Sequence, residues 1–275
     1  MPDNKRSERL VAMTKILLDH PATLLPLGHF TQTLGAAKST VSEDLAYLRE
    51  VFASMGLGKI ETFPGVAGGV KYLPLRSPEG ILSVVEELCV KLRSPQRILP
   101  GGFLYMTDII FSPQWAALLG EAFASLFQER SPEVVITMET KGIPLALMTA
   151  RALGLPLVTI RHESRVTEGP AVSVTYLSGS NRRIGSMSLP RRALPTGARV
   201  IIIDDFMRAG GTVRGMLDLL AEFQAQVVGT GILVEMVQPP EKVVQDYLSL
   251  VLLEEVDEAH KKVVVRPNPR LERRG

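Results

Sequence analysis

The sequence predicts an α/β protein with a winged helix-turn-helix domain over residues 1–74 and a doubly wound, mostly parallel sheet over residues 75–275. Two patterns predict this division. Short amphipathic helices and a glycine-rich hairpin fill the first part, whereas apolar strands alternate with helices from residue 134 onward. A chain of 275 residues also has room for two cores, because domains commonly hold about 150 residues.

The composition is typical of a folded globular protein. Apolar residues make up 45% of the chain and charged residues 22%, which excludes a mainly disordered or collagen-like chain. A single cysteine, Cys89, and the lack of CxxC or HExxH spacing exclude a disulfide framework and a local zinc motif. No stretch approaches the roughly 20 apolar residues of a membrane-spanning helix. We therefore expect a cytoplasmic protein with no metal centre and no membrane partner.

The first two helices are predicted at residues 6–19 and 29–34. Met13 and Leu17 recur at helical spacing, and Pro21 ends the first helix because proline disfavours helical geometry in the residue before it.

A turn, a third helix and a hairpin complete the first domain. Gly35 makes the turn, and Ser39 or Thr40 is expected to cap the third helix. Residues 59–63 and 70–73 are predicted as two strands around a loop, which would form the wing.

A winged helix places its third helix in the major groove of DNA and lays the hairpin beside it. We therefore predict a DNA-binding surface made of Lys5, Arg6, Arg9, Lys38, Ser39, Thr40, Ser42 and Lys71. Residues 1–73 hold eight Lys or Arg against seven Asp or Glu, so the domain is nearly neutral. Because phosphate contacts supply much of the affinity for DNA, a winged helix used for protein contact or dimerisation remains an alternative.

The second domain is predicted to begin with a helix at residues 78–93 and a mixed apolar segment at residues 103–111. Ser112 followed by Pro113 is a typical helix start, and it leads into a helix over residues 115–130. An alternation then follows up to a charged tail: strands at 134–138, 157–160, 200–203, 227–236 and 248–256, helices at 143–153 and 212–224, and an antiparallel excursion at 171–177 and 184–189.

The most informative segment joins an apolar strand, two acids and a glycine-containing turn that opens a helix: VIIIDDFMRAGGT, residues 200–212. Successive side chains of a strand point to opposite faces, so Asp204 and Asp205 are expected to have different roles. One can accept hydrogen bonds from sugar hydroxyls, while the other anchors structure or helps hold a metal-bound ligand. Backbone N–H groups at Gly210 and Gly211, with the positive helix end and the Thr212 hydroxyl, suit a phosphate. The alternative is an ordinary strand-to-helix turn.

This run resembles the phosphoribosyl pyrophosphate (PRPP) signature of type I phosphoribosyltransferases, and the resemblance covers residues 103–256. It implies a second loop for pyrophosphate, which falls on Glu139, Thr140, Lys141 and Gly142. Tyr105, Phe103 or Phe206 could stack on a base. The expected effector-binding residues are Asp204, Asp205, Arg208, Ala209, Gly210, Gly211, Thr212, Glu139, Thr140, Lys141, Gly142 and Tyr105.

Two departures from the enzyme pattern argue against catalysis. Hypoxanthine-type members place an acidic general base where this chain has Arg208, and a guanidinium cannot accept a proton. The segment 161–199, where the catalytic loop is expected, holds seven arginines, including the pairs Arg182–Arg183 and Arg191–Arg192. It is either a solvated surface around an anion site or a face that meets both ligand and DNA. We expect no catalytic residues.

Together, the winged helix, the opening run KRSERL at residues 5–10 and the PRPP signature resemble the purine operon repressors of Gram-positive bacteria. The resemblance implies a homodimer that represses purine synthesis and transport genes, sits on the nucleoid when bound to operator DNA, and binds DNA more weakly when PRPP is present. It implies no tightly bound cofactor, with Mg²⁺ accompanying PRPP. A guanosine nucleotide with a 3'-diphosphate could compete for the pocket.

Two alternatives are an active purine phosphoribosyltransferase with an accessory N-terminal domain and an RNA-binding attenuator of pyrimidine genes. The second does not begin with a winged helix.

Overall fold

The computed structural model describes residues 5–65, 67–163, 167, 169–177 and 184–274. By internal contacts the chain forms two units. The first comprises Met1–Ser77 with Arg151–Gly154, and the second comprises Pro78–Ala150 with Leu155–Gly275. Within the described ranges, no helix is long and apolar enough to cross a membrane.

The first unit contains three helices and an antiparallel hairpin: α1 Arg6–Asp19, α2 Leu27–Leu34, α3 Lys38–Ser54, β1 Lys59–Phe63 and β2 Gly69–Leu73. Its core is formed by apolar side chains from all three helices and both strands, among them Met13, Leu17, Phe30, Val41, Leu45, Leu48, Phe52, Ile60 and Val70. Gly35 ends α2 with a φ of 63°, a left-handed conformation that glycine adopts without steric cost.

The start of α3 differs from the prediction. Ala37 occupies the N-cap position, and no side chain caps the helix. Ser39 and Thr40 therefore lie inside the first helical turn and do not serve as caps. The second helix also begins two residues before the predicted position, directly after Pro26, whose fixed φ suits the helix boundary.

The second unit alternates helices and strands around one central sheet. Its elements are α4 Pro78–Leu92, β3 Ile98–Leu99, β4 Phe103–Leu104, α5 Thr107–Ile110, α6 Pro113–Phe127, β5 Val134–Met138, α7 Ile143–Leu153, β6 Leu157–Ile160, β7 Ala171–Leu177, β8 Ile184–Pro190, β9 Arg199–Met207, α8 Gly211–Ala221, β10 Gln226–Met236, β11 Leu248–Asp257 and β12 Lys262–Pro267. The last three residues of α7 are counted with the first unit. As the sequence predicts, Ser112 caps α6, accepting a hydrogen bond from the Trp115 backbone N–H at 3.4 Å.

The central sheet has six strands in the order β12-β11-β10-β9-β5-β6. The strands from β11 to β6 run parallel, and β12 is antiparallel at the edge. The prediction of a charged tail was wrong for β12. In β12, the buried Val263 and Val265 alternate with the exposed Lys262 and Arg266. This alternation is short and lies among charged residues, so the sequence pattern did not indicate a strand.

The strand order creates a crevice at one edge of the sheet. The chain passes from β5 to β6 on one side and later returns to β9 on the other side of β5. Ligands of doubly wound sheets bind beyond the carboxyl ends of the strands at this kind of switch point. The loops after β5 and β9 therefore flank the position where a ligand is expected. The β7–β8 hairpin lies outside this sheet and packs on α8.

Candidate effector-binding site and DNA-binding surface

The acidic pair lies within strand β9. The predicted strand ended at Ile203, whereas β9 continues to Met207 and remains paired with β10 as far as Glu235. The prediction that the acids follow the strand was therefore wrong. Successive side chains of a strand point to opposite faces, but the carboxyl groups of Asp204 and Asp205 are close enough to hydrogen-bond to each other. Asp204 is 5% exposed and Asp205 is half-buried.

Burial of this pair disfavours two negative charges. The pKa of Asp204 is raised well above its usual value, first by burial and then by the charge of Asp205. Burial also raises the pKa of Asp205, while the Lys141 ammonium acts in the opposite direction. The Asp205 backbone N–H donates to Asp204 Oδ1 at 3.0 Å. Hydroxyl donors or a cation brought to this pair would stabilise its ionised form.

A short loop and the start of α8 form a phosphate-sized pocket of about 70 Å³ next to the pair. Residues 206–213 line it. Gly210 adopts a φ of 90°, and a Cβ there would lie 2.8 Å from Val244 Cγ2. The position therefore needs glycine for both conformation and space. The N–H groups that open the 11-residue helix α8 can receive an anion.

The second predicted loop approaches the acidic pair from β5. A Cβ on Gly142 would lie 2.3 Å from Thr137 Oγ1 and 3.1 Å from Asp204 Oδ1, so glycine permits the close approach of the loop. Thr140 and Lys141 are exposed. The structure thus brings the two loops together at the switch point.

Glu139 has a partner within the chain. Its carboxylate accepts a hydrogen bond from the His162 backbone N–H at 2.7 Å and lies 3.5 Å from Arg161 Nη1. Glu139 therefore connects the loop after β5 to the segment that follows β6.

Tyr105 is not among the residues that line the phosphate-sized pocket. Its backbone is held by Arg97, whose carbonyl accepts from the Tyr105 N–H at 2.7 Å. Arg97 also forms a two-pronged ion pair with Asp108, at 2.7 and 2.8 Å. Tyr105 and Phe103 are both exposed. The predicted stacking role stays a prediction, and Arg182–Arg183 lie outside the described residues.

Sequence reasoning missed the segment around Lys242 and Val243, which contacts the loop that lines the pocket. The Val243 backbone N–H donates to the Ala209 carbonyl at 3.0 Å. Lys242 Nζ donates to the carbonyls of Met236 and Pro239, at 2.6 and 2.7 Å. Burial lowers the pKa of Lys242, with Glu235 and Arg208 acting in opposite directions. No motif marks this lysine in the sequence.

The polar residues predicted to meet DNA lie at the start of α3. Lys38, Ser39 and Ser42 are exposed, and Thr40 is partly buried.

The wing carries opposite charges at close range. Lys71 lies opposite Glu61 in the hairpin register, and its Nζ is 5.7 Å from the centre of the Phe63 ring. Glu61 also pairs with Lys59 at 2.8 Å. The positive charge of the wing is therefore partly balanced.

The basic residues of α1 differ in their surroundings. The Lys5 backbone N–H donates to the Glu8 carboxylate at 3.2 Å. Arg6 and Arg9 both pair with Asp44 of α3, at 3.1 and 2.9 Å. The Arg9 side chain is 13% exposed, whereas that of Arg6 is 61% exposed.

Comparison with known proteins gives the family. Residues 5–74 match the family described as bacterial purine repressor, N-terminal, and residues 106–267 match the phosphoribosyl transferase domain. The chain is 46% identical over 262 residues to the purine biosynthesis transcriptional repressor PurR of Bacillus subtilis, covering 95% of this chain and 92% of that protein. The chain belongs to the PurR family. The purine biosynthesis transcriptional activator PurR of Lactococcus lactis is 38% identical, covering 95% of this chain and 97% of that protein.

Phosphoribosyltransferases outside the PurR family match about half of the chain or somewhat more. The xanthine phosphoribosyltransferase of Deinococcus deserti is 34% identical over 148 residues, covering 52% of this chain and 77% of that enzyme. The structure of Saccharomyces cerevisiae adenine phosphoribosyltransferase superposes with a TM-score of 0.52 at 20% identity, covering 61% of this chain and 98% of that one. The predicted family and fold class are confirmed.

Proposed function

We propose that this PurR-family chain is a DNA-binding transcriptional repressor of purine biosynthesis genes, and that PRPP binds its phosphoribosyltransferase-type unit and weakens operator binding. The observation that carries the proposal is the convergence of the acidic pair with two glycine-containing loops at the switch point. Repression, as distinct from activation, is favoured by the higher identity to a relative named as a repressor.

The site offers a matching group for each part of PRPP. One acid of the pair, Asp204 or Asp205, can accept hydrogen bonds from the ribose hydroxyls, while the other anchors structure or helps hold a metal-bound ligand. The N–H groups at the start of α8 and the Thr212 hydroxyl can hold the 5'-phosphate. Lys141 and the neighbouring backbone can receive the diphosphate, whose charge Mg²⁺ would help to balance when it accompanies PRPP. A guanosine nucleotide with a 3'-diphosphate would compete for the same groups.

PRPP can weaken DNA binding only if the protein has two states that differ in PRPP affinity, with the state that binds PRPP more tightly binding DNA less tightly. PRPP brings several negative charges to the second unit and would reduce the positive potential that attracts DNA. In a shift assay with promoter DNA from purine genes, PRPP with Mg²⁺ should lower DNA affinity. Ribose 5-phosphate and pyrophosphate, supplied separately, are the controls. Unchanged DNA affinity at millimolar PRPP would refute the effector role.

We further propose that the chain acts as a homodimer in the cytoplasm, without enzymatic turnover. Arg208 takes the place of the acidic base expected in hypoxanthine-type enzymes. The likeness to xanthine phosphoribosyltransferases favours an active purine phosphoribosyltransferase as the second candidate. Incubation with PRPP, Mg²⁺ and each purine base should release no pyrophosphate. Turnover near 1 s⁻¹ or above would support the enzyme instead. Analytical ultracentrifugation tests the dimer.

A further inference from the structure

A buried carboxylate in the DNA-binding unit holds two arginines at once. Asp44, in α3, is 2% exposed. Its Oδ1 accepts from Arg6 Nε at 3.1 Å, and its Oδ2 accepts from Arg9 Nε at 2.9 Å. Each carboxylate oxygen therefore has its own guanidinium donor, and the start of α1 is fixed against the middle of α3.

The two arginines have different surroundings. The Arg9 side chain is 13% exposed, so its charge lies largely inside the unit. Arg6 is 61% exposed, and its guanidinium carbon lies 5.2 Å from the centre of the Tyr47 ring. Arg6 is thus held between a carboxylate and an aromatic face while much of its surface meets solvent. A guanidinium has five N–H donors and can bind a further anion.

Tyr47 places Arg6 beside the surface proposed to meet DNA. Ser39, Glu43 and Tyr47 follow one another at intervals of four residues on α3, and all three are exposed. Residues at this spacing share one helix face. The face that begins at Ser39, in the first turn of α3, therefore carries Arg6 at its edge.

We propose that Asp44 and Tyr47 are positioning residues that give the two arginines separate roles, with Arg9 bracing the fold and Arg6 contacting a DNA phosphate. This inference rests on the proposed function, because it requires the unit to bind DNA. A guanidinium already fixed by a carboxylate and a ring loses less side-chain freedom when it binds a phosphate. It also revises the sequence-based prediction that both arginines meet DNA.

The salt dependence of DNA binding separates the two roles. Each phosphate contact makes log affinity fall with log salt by a slope of about 0.9. Arg6→Gln in the full chain should reduce that slope by about one contact for each protomer on the DNA, so the wild-type advantage in affinity should shrink by about 3.5-fold per protomer between 50 and 200 mM salt. Arg9→Gln should lower the melting temperature and keep the slope. Lys15→Gln, an exposed change elsewhere on α1, is the matched control.

Variants of Tyr47 test positioning without touching the buried charge. Tyr47→Ala should weaken DNA binding several-fold in the wild-type background and have no effect beside Arg6→Gln, while Tyr47→Phe should keep wild-type affinity because it retains the ring. Equal loss of slope in Arg6→Gln and Arg9→Gln, or full affinity in Tyr47→Ala, would overturn the inference. No binding of promoter DNA by the unmodified chain would instead refute the proposed function and, with it, the inference.

Discussion

Each unit of the molecule buries carboxylates, but the groups around them differ. In the DNA-binding unit, Asp44 is surrounded by positive charge, with one arginine nitrogen at each oxygen. In the second unit, Asp204 and Asp205 lie against each other, and burial raises the pKa of both. A buried charge whose counter-ions are in place is already satisfied in the free protein, so the cost arises when one partner is removed. A buried acidic pair with raised pKa values is ready to gain from an added donor or cation, as a binding site requires.

Removing the balanced charge should have the largest effect. Asp44→Asn leaves two arginines without their anion, and breaking a buried ion pair costs about 3–5 kcal/mol. Because Arg6 is partly exposed, we expect a loss near the lower end in the free energy of unfolding. This loss is measured by urea denaturation of the full chain, with unfolding monitored by a probe placed in the first unit.

The corresponding change in the other unit should leave stability intact. Asp205→Asn removes a charge that burial disfavours, so the free energy of unfolding should stay level or rise. Comparable destabilisation by Asp44→Asn and Asp205→Asn would contradict the comparison.

Asp205→Asn should instead reduce PRPP affinity by roughly 100-fold, about 2.7 kcal/mol. This corresponds to one or two hydrogen bonds between ribose hydroxyls and an ionised acceptor, at about 1.5–3 kcal/mol each. Calorimetry with PRPP and Mg²⁺ measures the change, and the exposed Glu222→Gln at the end of α8 is the control. If Asp205→Asn bound PRPP as tightly as wild type, the acidic pair would not be the ribose site.

Gly142→Ala sharpens the comparison by adding one carbon beside Asp204. The new Cβ would overlap Thr137 Oγ1 and press on the Asp204 carboxylate, which forces the loop to shift. Overpacking of this kind costs about 1–3 kcal/mol, and PRPP affinity should fall with it. Gly28→Ala is the matched control, since within the described structure its Cβ meets no heavy atom within 4 Å beyond its own helix. A shifted melting temperature in Gly142→Ala with unchanged PRPP affinity would show that the loop is structural.

The smallest effect should come from pH. Because the ionised pair accepts the ribose hydroxyls and its pKa values are raised, PRPP affinity should fall as pH is lowered, starting above the usual titration range of aspartate. The stability of the free protein should change in the opposite direction. Its free energy of unfolding should fall as pH rises from the usual aspartate pKa through the raised one. Calorimetry with PRPP at several pH values tests whether the affinity falls as pH is lowered. If PRPP affinity depended on pH in the same way in Asp205→Asn and in the wild type, the dependence would come from the phosphates of PRPP.

The sequence predicted local features more successfully than distant contacts. The bounds of α1 follow from apolar spacing and a closing proline, and β5 from a short apolar run. The end of β9 was missed because acids inside a strand break the apolar signal, although pairing with β10 continues through them. The partnership of Asp44 with Arg6 joins positions 38 residues apart, and no local pattern encodes it.

The support behind the phosphate-sized pocket was missed for a related reason. Lys242 and Val243 lie in an irregular segment after β10, and their contacts are with backbone carbonyls. Such contacts depend on where the chain passes in space rather than on a residue motif.

The most direct test of the central claim measures PRPP affinity twice, for the free protein and for protein saturated with promoter DNA from purine genes. Coupling between two binding sites is reciprocal and commonly amounts to about 5–150-fold. We predict that DNA lowers PRPP affinity by the same factor by which PRPP lowers DNA affinity. Equal PRPP affinity in the two states would contradict the account, because an effector that does not distinguish the states cannot regulate DNA binding.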